Sequence, residues 1–160
     1  MARRTRRGPD LGKLTVPPFP IEATEENVSA AKAFVLSKWQ ERHDARATEW
    51  EQAMGRPYYN ERPTDLSSSC KFTSVFAAVV FGGEIEGNEA HQFAVVEGRV
   101  VDLNEDAGDV AGTEGIYRND PVFMWSRDHK ESMESCLPRV ADWIGEFALL
   151  MSPEPAVPAP

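Results

Sequence analysis

Ser67-Ser68-Ser69-Cys70-Lys71-Phe72-Thr73-Ser74-Val75-Phe76-Ala77-Ala78-Val79-Val80-Phe81-Gly82-Gly83 is the stretch whose reading decides the fold. Phe72, Val75, Phe76, Val79 and Val80 recur at a spacing of three to four, which predicts a helix opening at Cys70. Gly82-Gly83 supplies its stop. β-Branched residues also suit a strand, but the spacing and the length favour a helix. Ala77, Ala78 and Phe81 fill its other faces, so it is apolar nearly all round and belongs inside a core. A thiol at the start of such a helix sits at the positive end of the dipole, where a thiolate is favoured.

Downstream, residues 90–104 predict a β-hairpin with Glu97-Gly98 as a two-residue turn. Val96 then pairs with Arg99, Phe93 faces Asp102, and His91 faces Asn104. Side chains alternate between sheet faces, so His91, Phe93, Val95, Val100, Asp102 and Asn104 share one face. His91 and Asp102 are diagonal neighbours, with β-carbons ~7 Å apart or a little less. Gln92 falls on the opposite face. Gly83 to Asn88 adds another strand or its lead-in.

Upstream, Thr24 caps a helix whose first turn carries Glu25 and Glu26. Val28, Ala31, Val35 and Trp39 line one face, and the helix runs or restarts through Trp50 and Met54 to Gly55-Arg56-Pro57. Residues 57–69 are a polar connection and 105–120 a Gly- and Asp-rich loop. Pro121 to Trp125 is a short apolar segment, and Ser126 caps a charged region from Arg127 to Glu134. Val140, Trp143, Ile144, Phe147, Leu150 and Met151 then form an amphipathic helix, with Pro138 in its first turn.

The 160 residues and 41% hydrophobic content suit one globular domain, placed at 21–151. Residues 1–20, ending in Val16-Pro17-Pro18-Phe19-Pro20, read as a disordered basic arm, and Pro-rich residues 152–160 as a disordered tail. The net charge of −9 argues against a nucleic-acid-coating protein. Arg3, Arg4, Arg6 and Arg7 leave open a weak nucleic-acid or acidic-partner contact, with a solvated tail favoured. Two cysteines make no disulfide framework and fit a reducing, cytoplasmic compartment. No apolar run approaches a transmembrane length, and no apolar h-region follows the arginines.

With two cysteines and three histidines, few reactive constellations are available. Cys70, His91 and Asp102 form an ordered nucleophile, base and orienting carboxylate. His91 would take the thiol proton and later protonate the leaving group, while Asp102 fixes the ring tautomer. The Cys70 amide, at a helix start, would face a developing oxyanion. Ser69, Asn88 and Gln92, with Ser68 and Asn60, are the side-chain candidates to assist it. Singly, each triad residue has a plain structural reading: a small buried hydrophobe, a hydrogen-bonded strand histidine, a strand-ending aspartate. Cys136 reads as core packing, and His43 and His129 as solvated. A metal site lacks CxxC or HExxH spacing, no cofactor is implied, and GxSxG, P-loop and GxGxxG motifs are absent.

The serine-rich lead-in to Cys70, Phe81-Gly82-Gly83, His91-Gln92-Phe93 and Asp102-Leu103-Asn104 resemble the transglutaminase/papain-like cysteine-enzyme superfamily. The similarity is greatest to small bacterial YunG-like proteins, and it covers roughly residues 66–145, with Arg139 near a family-like arginine. The resemblance implies an α+β fold, with the Cys-bearing helix packed on a small antiparallel sheet and flanked by N- and C-terminal helices. It also implies a bacterial or phage thiol enzyme: protease, deamidase, transglutaminase or acyltransferase. Where the papain type carries a glutamine six residues before the cysteine, this chain has Thr64. The leading expectation is a thiol enzyme acting on an amide or isopeptide carbonyl of a protein or peptide. The alternative is a non-catalytic adaptor or inhibitor that keeps the fold.

Overall fold

The computed structural model describes residues 10–104 and 116–152. In chain order the elements are α1 (Glu25–Met54), α2 (Cys70–Phe81), β1 (Glu84–Gly87), β2 (Gln92–Val96), β3 (Arg99–Val101), α3 (Pro121–Met124), α4 (Arg127–Ser135) and α5 (Leu137–Met151). The architecture is α+β, with a three-stranded antiparallel sheet in the order β1-β2-β3.

α2 is the centre of the molecule. One side packs on β2 and β1, and another on α5, which in turn meets α1. A helix covered this way has no solvent face, which is why its sequence is apolar all round. Every residue from Thr73 to Phe81 is buried. Gly82 closes it in the left-handed conformation, φ 74°, where a side chain would be strained. Across the sheet, Ile85, Ala94, Val96 and Val101 are buried, whereas Val100, one pleat away, is 42% exposed.

The hairpin has the expected register: Val96 pairs with Arg99, Val95 with Val100 and Ala94 with Val101. Glu97 and Gly98 both take positive φ, 50° and 77°, the geometry that lets a two-residue turn follow the strand twist. The ladder is shorter than the hydrophobic pattern predicts. Its strands begin at Gln92 and end at Val101, so His91 and Asp102 lie just past the regular pairing.

α1 is one continuous helix of 30 residues. The Thr24 hydroxyl accepts from the Asn27 amide at 3.1 Å, and Gly55 ends the helix at φ 68°. Only Ala31 and Val35 are fully buried, so the first half holds the body and the second half carries its own aromatic cluster. There Trp50 meets Tyr58 and Tyr59 with ring centroids 5.7 and 5.6 Å apart. α5 buries Val140, Trp143, Ile144, Phe147 and Ala148, with its proline in the first turn.

Two expectations need correction. The arm predicted over 1–20 does not extend to residue 20. Leu11–Lys13 form a 3₁₀ turn, and Leu11, Leu14 and Val16 pack on the core. Phe19 is buried and stacks on Phe147 at 5.7 Å, and the Ile21 amide donates to the Val80 carbonyl. The prolines rule out a long helix here, but burial of Phe19 fixes the chain without one. Residues 1–9 and 153–160, the remainder of the predicted arm and most of the predicted tail, lie outside the described residues. His129, read as solvated from its charged neighbours, is buried and packs at a tilt on Phe123, with ring centroids 4.6 Å apart. α4 turns that face inward while its charges point out.

Candidate functional site

The site forms where the N-terminus of α2 overhangs the start of β2. Cys70 is the first residue of α2 and half-buried, and Ser69, at the cap, makes no side-chain cap bond to the helix. The Ser69 hydroxyl instead donates back to the Leu66 carbonyl, and Ser69 is fully buried. It shapes the turn into α2 and offers nothing to the outside.

Asn88 builds the opposite wall. Its side-chain oxygen accepts from the amides of Ala90 and His91 at 2.9 and 3.3 Å. Its side-chain nitrogen donates to the Ile116 and Arg118 carbonyls at 3.0 and 2.7 Å. Its backbone amide donates to the His91 carbonyl at 3.0 Å. An asparagine presents two donors and two acceptor lone pairs on its side chain, and here all of them are committed. Asn88 therefore fixes residues 88–91 as a tight loop and ties residues 116–118 to it. Gly87 permits that loop, because a β-carbon there would stand 2.5 Å from the His91 carbonyl oxygen.

His91 is 3% exposed, and its Nε2 lies 2.6 Å from Asp102 Oδ2. Asp102 is held from both oxygens: Oδ1 accepts from the Asn104 amide at 2.9 Å, and Oδ2 also accepts from the Tyr117 hydroxyl at 3.2 Å. Phe93 and Tyr117 flank the imidazole, with centroids 6.2 and 6.1 Å from it. Burial alone would push the imidazole toward the neutral form. Hydrogen bonds to Asp102 and Cys70, and the charges behind them, outweigh burial and raise its pKa from 6.5 to about 9. The Tyr117 phenol is pushed up to about 12, by burial first and then by the Asp102 carboxylate.

Cys70 thus lies close enough to the imidazole to favour its charged form, while the ring's Nε2 is taken by Asp102. The sulfur also donates to Gln92 Oε1 at 3.0 Å. Strand parity sets Gln92 and His91 on opposite faces, yet both reach Cys70. His91 precedes the regular ladder, and the sulfur sits at the strand's end rather than over either face. The Gln92 amide is oriented without ambiguity. Its Nε2 donates to the Asn88 carbonyl at 2.8 Å, and a carbonyl can only accept.

The sequence-derived residues therefore divide. Cys70, His91, Asp102 and Gln92 come together. Asn88 stands one bond behind them with both side-chain amide groups spent, and Ser69 faces the Leu66 carbonyl. Sequence reasoning missed Tyr117, which it left inside a loop. The only signal was an aromatic residue following a Gly- and Asp-rich run. Residues 105–115 of that loop lie outside the described residues.

Cys136, the other thiol, is buried where α4 meets α5, and burial pushes its pKa up. Among the described residues, no group of three His, Cys, Asp or Glu side chains could hold a metal ion. No described helix is long and apolar enough to cross a membrane. A cavity of about 510 Å³, lined in part by Ile21, Phe81 and Val96, lies at the far end of α2 from Cys70. Comparison with known proteins finds no family model, no curated protein and no solved structure that matches this chain.

Proposed function

We propose that the protein is a thiol enzyme of the papain/transglutaminase-like kind. It acts on an amide or isopeptide carbonyl of a protein or peptide through Cys70, His91 and Asp102. The observation that carries this reading is His91 itself: a buried imidazole with a carboxylate 2.6 Å from its Nε2 and the Cys70 sulfur near enough to favour its charged form. A structural histidine needs one partner for each nitrogen. It does not need a half-exposed thiol on one side and, on the other, a carboxylate already held by two further donors.

In the proposed reaction the Cys70 sulfur attacks the carbonyl carbon, forming a C–S bond as the C–N bond breaks. The thiol proton passes through His91 to the leaving amine. Water or an acceptor amine then attacks the thioester, its proton returns through His91, and the thiol is regenerated. Asp102, itself held by the Tyr117 hydroxyl, binds Nε2 and leaves the other ring nitrogen for the proton transfer. The Cys70 amide, in the first turn of α2, would stabilise the oxyanion.

Incubation with an activated acyl ester such as p-nitrophenyl acetate tests this reading. The expected result is a burst of nitrophenolate equal to the enzyme, with one acetyl group on Cys70 by mass spectrometry. Cys70→Ser and His91→Ala should each abolish the burst. Acetylation spread over lysines, with no Cys70 thioester, contradicts it.

A further inference from the structure

We propose that Gln92 restrains Cys70. Its side-chain carbonyl accepts from the sulfur at 3.0 Å and acts as a partial latch, lowering without abolishing the reactivity that His91 confers on the thiol. The inference rests on the catalytic reading above but gives Gln92 the reverse of an oxyanion-hole role.

The argument is one of donors and acceptors. Gln92 is buried, and its amide nitrogen is anchored on the Asn88 carbonyl at 2.8 Å. Rotating the amide by 180° would set Oε1 against that carbonyl, oxygen on oxygen. Oε1 therefore stays on the Cys70 side, 3.0 Å from the sulfur. At that distance a carbonyl oxygen stabilises S–H and repels S⁻. Asn88 cannot give way either, because both groups of its side chain are bound. The groups facing the sulfur thus pull in opposite directions. His91, backed by Asp102, draws the proton away, and Gln92 keeps it on sulfur. Cys136, just ahead of α5, is the other thiol whose charge would be felt at Cys70, and Lys71 and Arg42 are the cations near it.

The test is the rate of iodoacetamide labelling of Cys70, followed by mass spectrometry from pH 5 to 9. It is applied to the intact protein and to Gln92→Met, Gln92→Glu, His91→Ala and Gln92→Met/His91→Ala. Methionine has nearly the volume of glutamine and only a weak acceptor. Loss of one such hydrogen bond should speed labelling near neutrality about fivefold and move the profile to lower pH. Glutamate places a full anion against the sulfur and should slow labelling at the same pH. Removing His91 should erase the gain seen in Gln92→Met.

Unchanged or slower labelling in Gln92→Met, with wild-type labelling still dependent on His91, overturns the latch and leaves the catalytic reading intact. A gain that persists without His91 means simple uncovering of the sulfur and also overturns it. Wild-type labelling indifferent to His91 overturns the catalytic reading beneath. Thermal unfolding checks each fold; should Gln92→Met not fold, Gln92→Glu decides, with equal or faster labelling contradicting the latch.

Discussion

This chain buries two histidines, and they sit in contrasting corners. At the start of β2, His91 faces a carboxylate and a half-exposed thiol, and its pKa is raised to about 9. Between α3 and α5, His129 packs at a tilt on Phe123. Burial, and then the charge of Lys71, lower its pKa below 6.5. Its Nε2 has no hydrogen-bond partner among the described residues. Cys136, where α4 meets α5, is a second buried group, and burial pushes its pKa up. Burial is shared by both corners, so it does not decide the chemistry. The partners do: Asp102 first, and then Cys70, reverse the direction in which burial alone would move His91.

The largest expected effect breaks the His91 corner. His91→Ala should lower the rate of Cys70 acylation by about 10²–10⁴, the usual worth of a positioned acid–base group. Burst kinetics on the activated ester read this directly, and a rate within twofold of wild type would remove the difference between the corners.

A second effect sets the two histidines against each other in stability. His91 is raised from 6.5 to about 9 in the folded protein, so its contribution is complete below about pH 6.5 and lost as pH rises through 9. His129 is lowered, so its contribution is complete above 6.5 and lost as pH falls below that value. Urea unfolding from pH 6.5 to 9 should show a loss of a few kcal/mol that vanishes in His91→Gln. A loss that survives in that variant would mean the Asp102 pairing does not hold the proton.

Tyr117→Phe sharpens the same corner more gently. It removes one donor from the Asp102 carboxylate while keeping the ring against Phe93, whose centroid is 5.1 Å away. The expected cost is about 1–2 kcal/mol in stability and about fivefold in acylation. The smallest effect belongs to the other corner. His129→Leu removes a buried nitrogen that has no partner, so it should change stability by less than about 1 kcal/mol and leave acylation unaltered. It should also weaken the loss of stability on the acid side.

The contrast also explains what could be read from the chain. α2 was legible because one periodicity covers twelve residues and both its ends are marked, Cys70 after the serines and Gly82 after Phe81. The hairpin was legible because Glu97-Gly98 fixes the register, and register fixes which residues are neighbours. His91 and Asp102 followed from parity alone. Parity failed for Gln92, since it describes the faces of a sheet and Cys70 sits at a strand's end. Nothing periodic connects Tyr117 to Asp102. That link runs through Asn88, whose side chain reaches across to residues 116 and 118. Phe19 and His129 were misread for a related reason: local composition reports the neighbours in sequence, while burial depends on neighbours in space.

The difference between the two cysteines is the central claim, and their labelling rates measure it most directly. The protein is treated with iodoacetamide at mildly acidic pH, and the modified peptides are quantified by mass spectrometry. Cys70 should label at least tenfold faster than Cys136, and His91→Ala should abolish that preference. Equal, slow labelling of both thiols in the intact protein would contradict an activated Cys70.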